Sequence, residues 1–115
     1  MPDLESLLDQ VDEMRDEIVA LEQDLVRIPT VNTGTMPTGN ETEACRYIEK
    51  WLAEDGIASE TIESAPDRGN LIARLEGSSG KAGLMFMSHL DVVPVEEEEK
   101  WLTRYEEKTL SLIHI

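Results

Sequence analysis

The chain has 115 residues, with 25 acidic side chains against 10 basic ones and a formal net charge of −15. That surplus of carboxylates excludes docking on a phosphate backbone or an anionic membrane, both of which need a basic footprint. With 40% hydrophobic and 30% charged residues the chain is bounded to one small globular domain, and an aromatic share of 4% makes its core aliphatic.

Residues 3–28 carry apolar side chains at Leu4, Leu7, Val11, Met14, Ile18, Leu21, Leu25 and Ile28. The alternation of three- and four-residue steps predicts one long amphipathic helix. Asp3 is its expected N-cap and Pro29 its stop, because the residue before a proline is pushed out of the α region. The stripe can pack on its own domain or serve a partner helix. It covers fewer than four heptads, which favours the first use. Residues 30–40 mix small hydroxyls, two glycines and a proline without periodicity and read as a loop. Residues 41–55 are a second predicted helix. Asn40 stands at the N-cap with Glu43 at capping-box spacing, and Gly56 follows as a left-handed stop. Ala44, Ile48, Trp51 and Leu52 form its apolar stripe. Cys45 falls on the inner side, and as the only cysteine it makes no disulfide within the chain.

Three strands are predicted next, over 57–63, 70–75 and 84–87, separated by turn-like stretches at 64–69 and 76–81. Gly77-Ser78-Ser79-Gly80-Lys81 lacks the spacer of a phosphate loop, and Ala82 stands where a magnesium-holding hydroxyl would be, so it reads as a turn. Two helices followed by closely spaced strands predict an α/β layer.

The chemistry concentrates at residues 83–94, an apolar run that closes on His89, Asp91 and Pro94. An apolar run bounded by Gly83 and Ser88 predicts a buried strand. In extended backbone, residues two apart point to one side, so His89 and Asp91 can share a pocket. They lie at the carboxyl end of the predicted strand, where α/β proteins place ligand sites. Neutral imidazole is the commonest metal ligand and zinc accepts it, while a nearby carboxylate orients the ring and raises its basicity. The alternative is a hydrogen-bonded structural histidine. A metal site needs three or four ligands, and the one other histidine is His114, in a stretch with no supporting pattern.

Met87-Ser88-His89-Leu90-Asp91-Val92-Val93-Pro94 resembles the first metal motif of the M20-type zinc metallohydrolases. That family includes acetylornithine deacetylase, succinyl-diaminopimelate desuccinylase, aminoacylase and glutamate carboxypeptidase. Residues 25–32, Gly39-Asn40-Glu41, residues 69–73 and Lys100-Trp101 resemble the same family, so the likeness covers about residues 3–101. It implies the N-terminal part of a zinc-peptidase-like catalytic domain, two helices followed by strands of a mixed sheet. It makes His89 a ligand to one of two zinc ions, with cobalt the alternative metal, and Asp91 the catalytic carboxylate that supports it. It implies hydrolysis of amide bonds in N-acyl amino acids or peptides by a metal-bridging water that a glutamate activates. It further implies a homodimeric parent protein.

The family's bridging aspartate, its Glu-Glu pair, its later ligands and its second, smaller domain have no counterpart here. The acidic run at 96–99 reads as a solvated charge run. Residues 1–101 are therefore expected to be an incomplete catalytic domain, inactive alone, and residues 102–115 a tail that matches nothing in the family. The rival expectation is a non-catalytic interaction module that uses the heptad helix. An acidic N-terminus without an apolar h-region, and no apolar run near the ~18–20 residues that span a bilayer, predict a cytoplasmic location.

Overall fold

The computed structural model describes residues 3–78, 80–81 and 83–95. Its elements are α1 (Leu4–Glu13), α2 (Arg15–Arg27), α3 (Glu41–Glu54), β1 (Ser59–Ala65) and β2 (Arg68–Ala73). The chain divides into two compact units, one holding the first 28 residues and the other Pro29–Glu96. The acidic run at 96–99, Trp101, His114 and the tail at 102–115 lie outside the described residues.

In the first unit, the expected cap is present: Asp3 Oδ1 accepts the Ser6 N–H at 2.9 Å. The predicted single helix is two elements, because Met14 loosens to φ −81 and ψ −1. Helical hydrogen bonds nevertheless run through it, from Met14 N–H to Gln10 O at 3.2 Å and from Ile18 N–H to Met14 O at 2.9 Å. Ile28 is extended at the end of α2, as the following Pro29 requires. No residue of α1 or α2 is buried, and Leu4, Leu7, Val11, Met14 and Ile18 are exposed.

The second unit is built on α3. Its C-terminus closes as predicted. Gly56 takes φ +71, its N–H bonds Ala53 O at 3.0 Å, and Ile57 N–H bonds Leu52 O at 3.0 Å. This pair of bonds satisfies carbonyls that the helix leaves open. The N-terminus differs from expectation. Asn40 has φ 131 and its side chain caps nothing; its Nδ2 donates to Glu43 Oε2 at 3.1 Å instead. The Thr42 N–H is satisfied by Asp67 O at 3.2 Å, so a tertiary contact replaces the local cap.

β1 and β2 form an antiparallel hairpin with Ser59 opposite Ala73, Thr61 opposite Leu71 and Glu63 opposite Gly69. The turn is only Pro66-Asp67, so the strands take up most of the predicted loop at 64–69. Pro66 has its φ preset and Asp67 tolerates the left-handed region, here φ 63, so two residues suffice. The hairpin packs on α3. Gly69 permits the close approach: a Cβ there would stand 2.7 Å from Thr42 Cα. Among the described residues Ala44 and Cys45 are the buried hydrophobic ones, at 2% and 0% exposure. Thr30, Glu41 and Thr42 are buried polar residues, and no buried side-chain polar atom among the described residues lacks a partner.

The α/β class stands, as three helices and a two-stranded sheet among the described residues. The buried strand expected at 84–87 is not formed. Leu84, Met85, Phe86 and Met87 are 81%, 78%, 88% and 86% exposed and belong to no strand. An apolar run reports that a strand would gain from burial, but burial needs partners for its backbone and cover for both faces. Among the described residues the sheet is β1 and β2 alone. Downstream of the run, Val92 makes an isolated parallel bridge with Val31, the one parallel pairing among the described residues.

Candidate metal corner

The loop after Pro29 and the segment after His89 are zipped together by backbone bonds. Val92 N–H donates to Thr30 O at 3.1 Å, and Asn32 N–H donates to Val92 O at 2.8 Å. The Thr30 hydroxyl, buried, adds a bond to Leu90 O at 2.7 Å. The β-branched residues Thr30, Val31 and Val92 suit this extended pairing. The loop folds back on itself behind it: Gly39 N–H bonds Val31 O at 3.0 Å, and Gly34 N–H bonds Asn32 Oδ1 at 2.8 Å. That last bond fixes which way the Asn32 amide faces, because its oxygen is occupied and its Nδ2 must point outward.

Asn32 Nδ2 donates to Asp91 Oδ2 at 2.7 Å. Asp91 Oδ1 lies 3.0 Å from His89 Nδ1, and Arg68 Nη2 stands 3.7 Å from Oδ2. The Asn32 hydrogen bond holds the Asp91 carboxyl below its ordinary range; partial burial opposes this, and His89 and Arg68 add to the lowering. Asp91 is therefore an acceptor with its charge in place.

His89 Nδ1 faces two oxygens, the Asp91 carbonyl at 2.8 Å and Oδ1 at 3.0 Å. A carbonyl and a carboxylate only accept, so in the neutral ring Nδ1 carries the proton and Nε2 keeps its lone pair. The side chain is 84% exposed, and nothing among the described residues bonds Nε2. This is the arrangement in which ligand histidines present themselves to a metal, with the far nitrogen tied to a carboxylate. His89 thus fits one coordination position. Among the described residues no group of three or more His, Cys, Asp or Glu side chains is placed to hold a metal ion.

Behind Asp91 lies an ion pair. Arg68, the first residue of β2, places Nη2 2.7 Å from Oε1 of Glu41, the first residue of α3. The Glu41 side chain is 8% exposed and that of Arg68 25%. Gly39 is packed against the pair: a Cβ would sit 2.6 Å from Glu41 Oε2 and 3.0 Å from Arg68 Nε.

The two residues singled out from the sequence, His89 and Asp91, are together and hydrogen-bonded. Asn32, Arg68 and Glu41 were not singled out as site residues. Asn32 sits next to the proline-threonine exit of the helix and Glu41 in the Gly-Asn-Glu string, both parts of the family likeness. Arg68 carries no local signal.

Over 110 residues, 94% of its length, the chain is 32% identical to N-formyl-4-amino-5-aminomethyl-2-methylpyrimidine deformylase of Halalkalibacterium halodurans, covering 25% of that protein. It is 39% identical over 82 residues to succinyl-diaminopimelate desuccinylase of Parvibaculum lavamentivorans, a match that takes in 68% of this chain and 19% of that enzyme. Acetylornithine deacetylase of Vibrio cholerae is 37% identical over 59 residues, 51% of this chain and 15% of the relative. The chain spans a quarter or less of the length of these curated relatives. No family model matches it, and no solved structure does.

Proposed function

The chain belongs, by homology, with the M20-family deacylases, and from that premise we propose that it is part of a hydrolase that removes an acyl group from the nitrogen of a small molecule. The observation that carries the proposal is the operation common to the relatives' names. One removes a formyl group, one a succinyl group and one an acetyl group. The substrate class expected from the sequence, N-acyl amino acids or peptides, widens accordingly to N-acyl amino compounds, since the deformylase acts on an aminopyrimidine.

In this reading His89 offers Nε2 to a metal. Asp91 holds the proton on Nδ1 and places negative charge behind the ring, which strengthens Nε2 as a donor. Asn32 and Arg68 keep Asp91 ionised and aimed. Two zinc ions, or cobalt in their place, would polarise the acyl carbonyl and lower the pKa of water in the whole enzyme. The described residues supply one ligand, so we propose that this chain is inactive by itself; the homodimeric whole enzyme that the family resemblance implies stays part of the proposal. No helix among the described residues is long and apolar enough to cross a membrane. A cytoplasmic location remains part of the proposal.

Zinc titration followed on the ring nitrogens of His89 by NMR tests the metal role. Zinc is expected to shift the Nε2 resonance far more than Nδ1, and His89→Ala, which lacks both resonances, identifies them. A His89 ring that ignores zinc sinks the role. Tight stoichiometric binding with turnover of N-formyl, N-succinyl or N-acetyl substrates would overturn the inactivity.

A second reading has one observation in its favour, the exposure of Leu4, Leu7, Val11, Met14 and Ile18 along one helical seam. It makes the first unit an interaction helix. Sedimentation should then show self-association or partner binding that Val11→Glu with Ile18→Glu abolishes. A monomer at high concentration that binds nothing would dispose of it.

A further inference from the structure

We infer that Arg68, anchored by the buried Glu41, is a positioning residue for Asp91 and through it for the His89 ring, so that the pair at the start of α3 and β2 sets which nitrogen of His89 is offered outward. The inference rests on the hydrolase reading only for what Nε2 does with its lone pair.

The argument begins with Glu41. It sits in the first turn of α3, where the helix end favours negative charge, and its side chain is almost fully covered. A buried carboxylate needs a fixed counter-charge, and Arg68 supplies it at 2.7 Å. That bond fixes where Nη2 lies, and the same Nη2 stands 3.7 Å from Asp91 Oδ2. The same Oδ2 accepts from Asn32 at 2.7 Å. Two groups on different elements, a loop amide and a strand cation, thus claim one carboxylate oxygen, and Oδ1 is left for His89 Nδ1 at 3.0 Å. A carboxylate's terminal torsion is broad, so without Arg68 one hydrogen bond from Asn32 would have to select the orientation. Gly39 joins the two arms. It has φ +85 and no room for a Cβ beside the Glu41–Arg68 pair, so the loop that carries Asn32 closes directly on the group that holds Arg68.

The rival account gives Arg68 a structural role only, as the partner that neutralises Glu41. The two accounts separate on the tautomer of His89, which neutralising Glu41 by itself would not move. The experiment records long-range proton–nitrogen spectra of the His89 ring in the 115-residue chain without metal, at a pH where the ring is neutral. The test variant is Glu41→Gln with Arg68→Gln, which removes both charges and leaves no unpaired buried one. It is expected to raise the Nε2–H share about threefold, the scale set by losing one modest electrostatic contact, with the α3 and hairpin amide signals unchanged. Arg68→Lys keeps a cation in place and is expected to stay within about twofold of the parent share. A folded double variant with the parent tautomer share overturns the inference. If the double variant loses its α3 signals, Glu41→Leu with Arg68→Met, an apolar pair of similar volume, takes its place: a rise of about threefold in a folded chain supports the inference, and the parent share overturns it. Zinc is absent throughout, so this outcome stands whichever way the zinc titration falls.

Discussion

The α3–hairpin region and the His89 segment are held by different means. The first closes Cys45 to 0% exposure between a helix and two strands, while the second leaves Phe86 at 88% and hangs on hydrogen bonds from Thr30, Asn32 and their backbone. Apolar burial is non-directional and tolerates small shifts, whereas a few directed bonds set one geometry and lose it when one partner goes. Directed bonds of the second kind hold the side chains of the His89 segment in one orientation. The two regions meet in a single device, the Glu41–Arg68 pair, which belongs to the packed region at one end and touches Asp91 at the other.

The largest break in this contrast should come from Arg68→Met. It leaves Glu41 buried without a counter-charge and is expected to cost about 3 kcal/mol of stability in urea unfolding. A change under about 1 kcal/mol would mean that Glu41 finds water or another donor. Gly69→Ala follows, at about 2 kcal/mol, because its Cβ would press on Thr42 backbone that cannot yield as a side chain would. An unchanged unfolding midpoint in that variant would show that the hairpin can slide off α3 freely.

A smaller effect is expected from pH. Burial first, then the charges of Glu49 and Glu41, raise the Cys45 thiol above its ordinary 9.0. A group raised in the folded state contributes stability that is whole below its unfolded pKa and lost above it. Stability should therefore fall as pH rises through 9.0 and beyond, and thiol reagents should be slow until the chain unfolds. Rapid labelling at neutral pH would contradict the closed packing around α3. The smallest effect belongs to Phe86→Ser, expected within about 0.5 kcal/mol of the parent because the ring is already in water. A clear destabilisation there would erase the contrast between the two regions.

Local chemistry determined what can be read from neighbouring residues. Asp3 starts α1, Pro29 ends α2, and Gly56 ends α3, because a cap, a blocked amide and a left-handed turn are decided within a few positions. His89 and Asp91 were legible because the octapeptide around them resembles a known metal motif, and because residues two apart need only extended backbone to face one side. Tertiary structure decided the rest. Asn32 and Asp91 are 59 positions apart, and no periodicity links them. Arg68 stands in an ordinary turn-to-strand sequence and acquires its role only when β2 lies on α3. The run at 84–87 shows the limit from the other side. Its apolar pattern states a gain from burial, but whether that gain is realised depends on strands and faces supplied elsewhere, and among the described residues none is supplied.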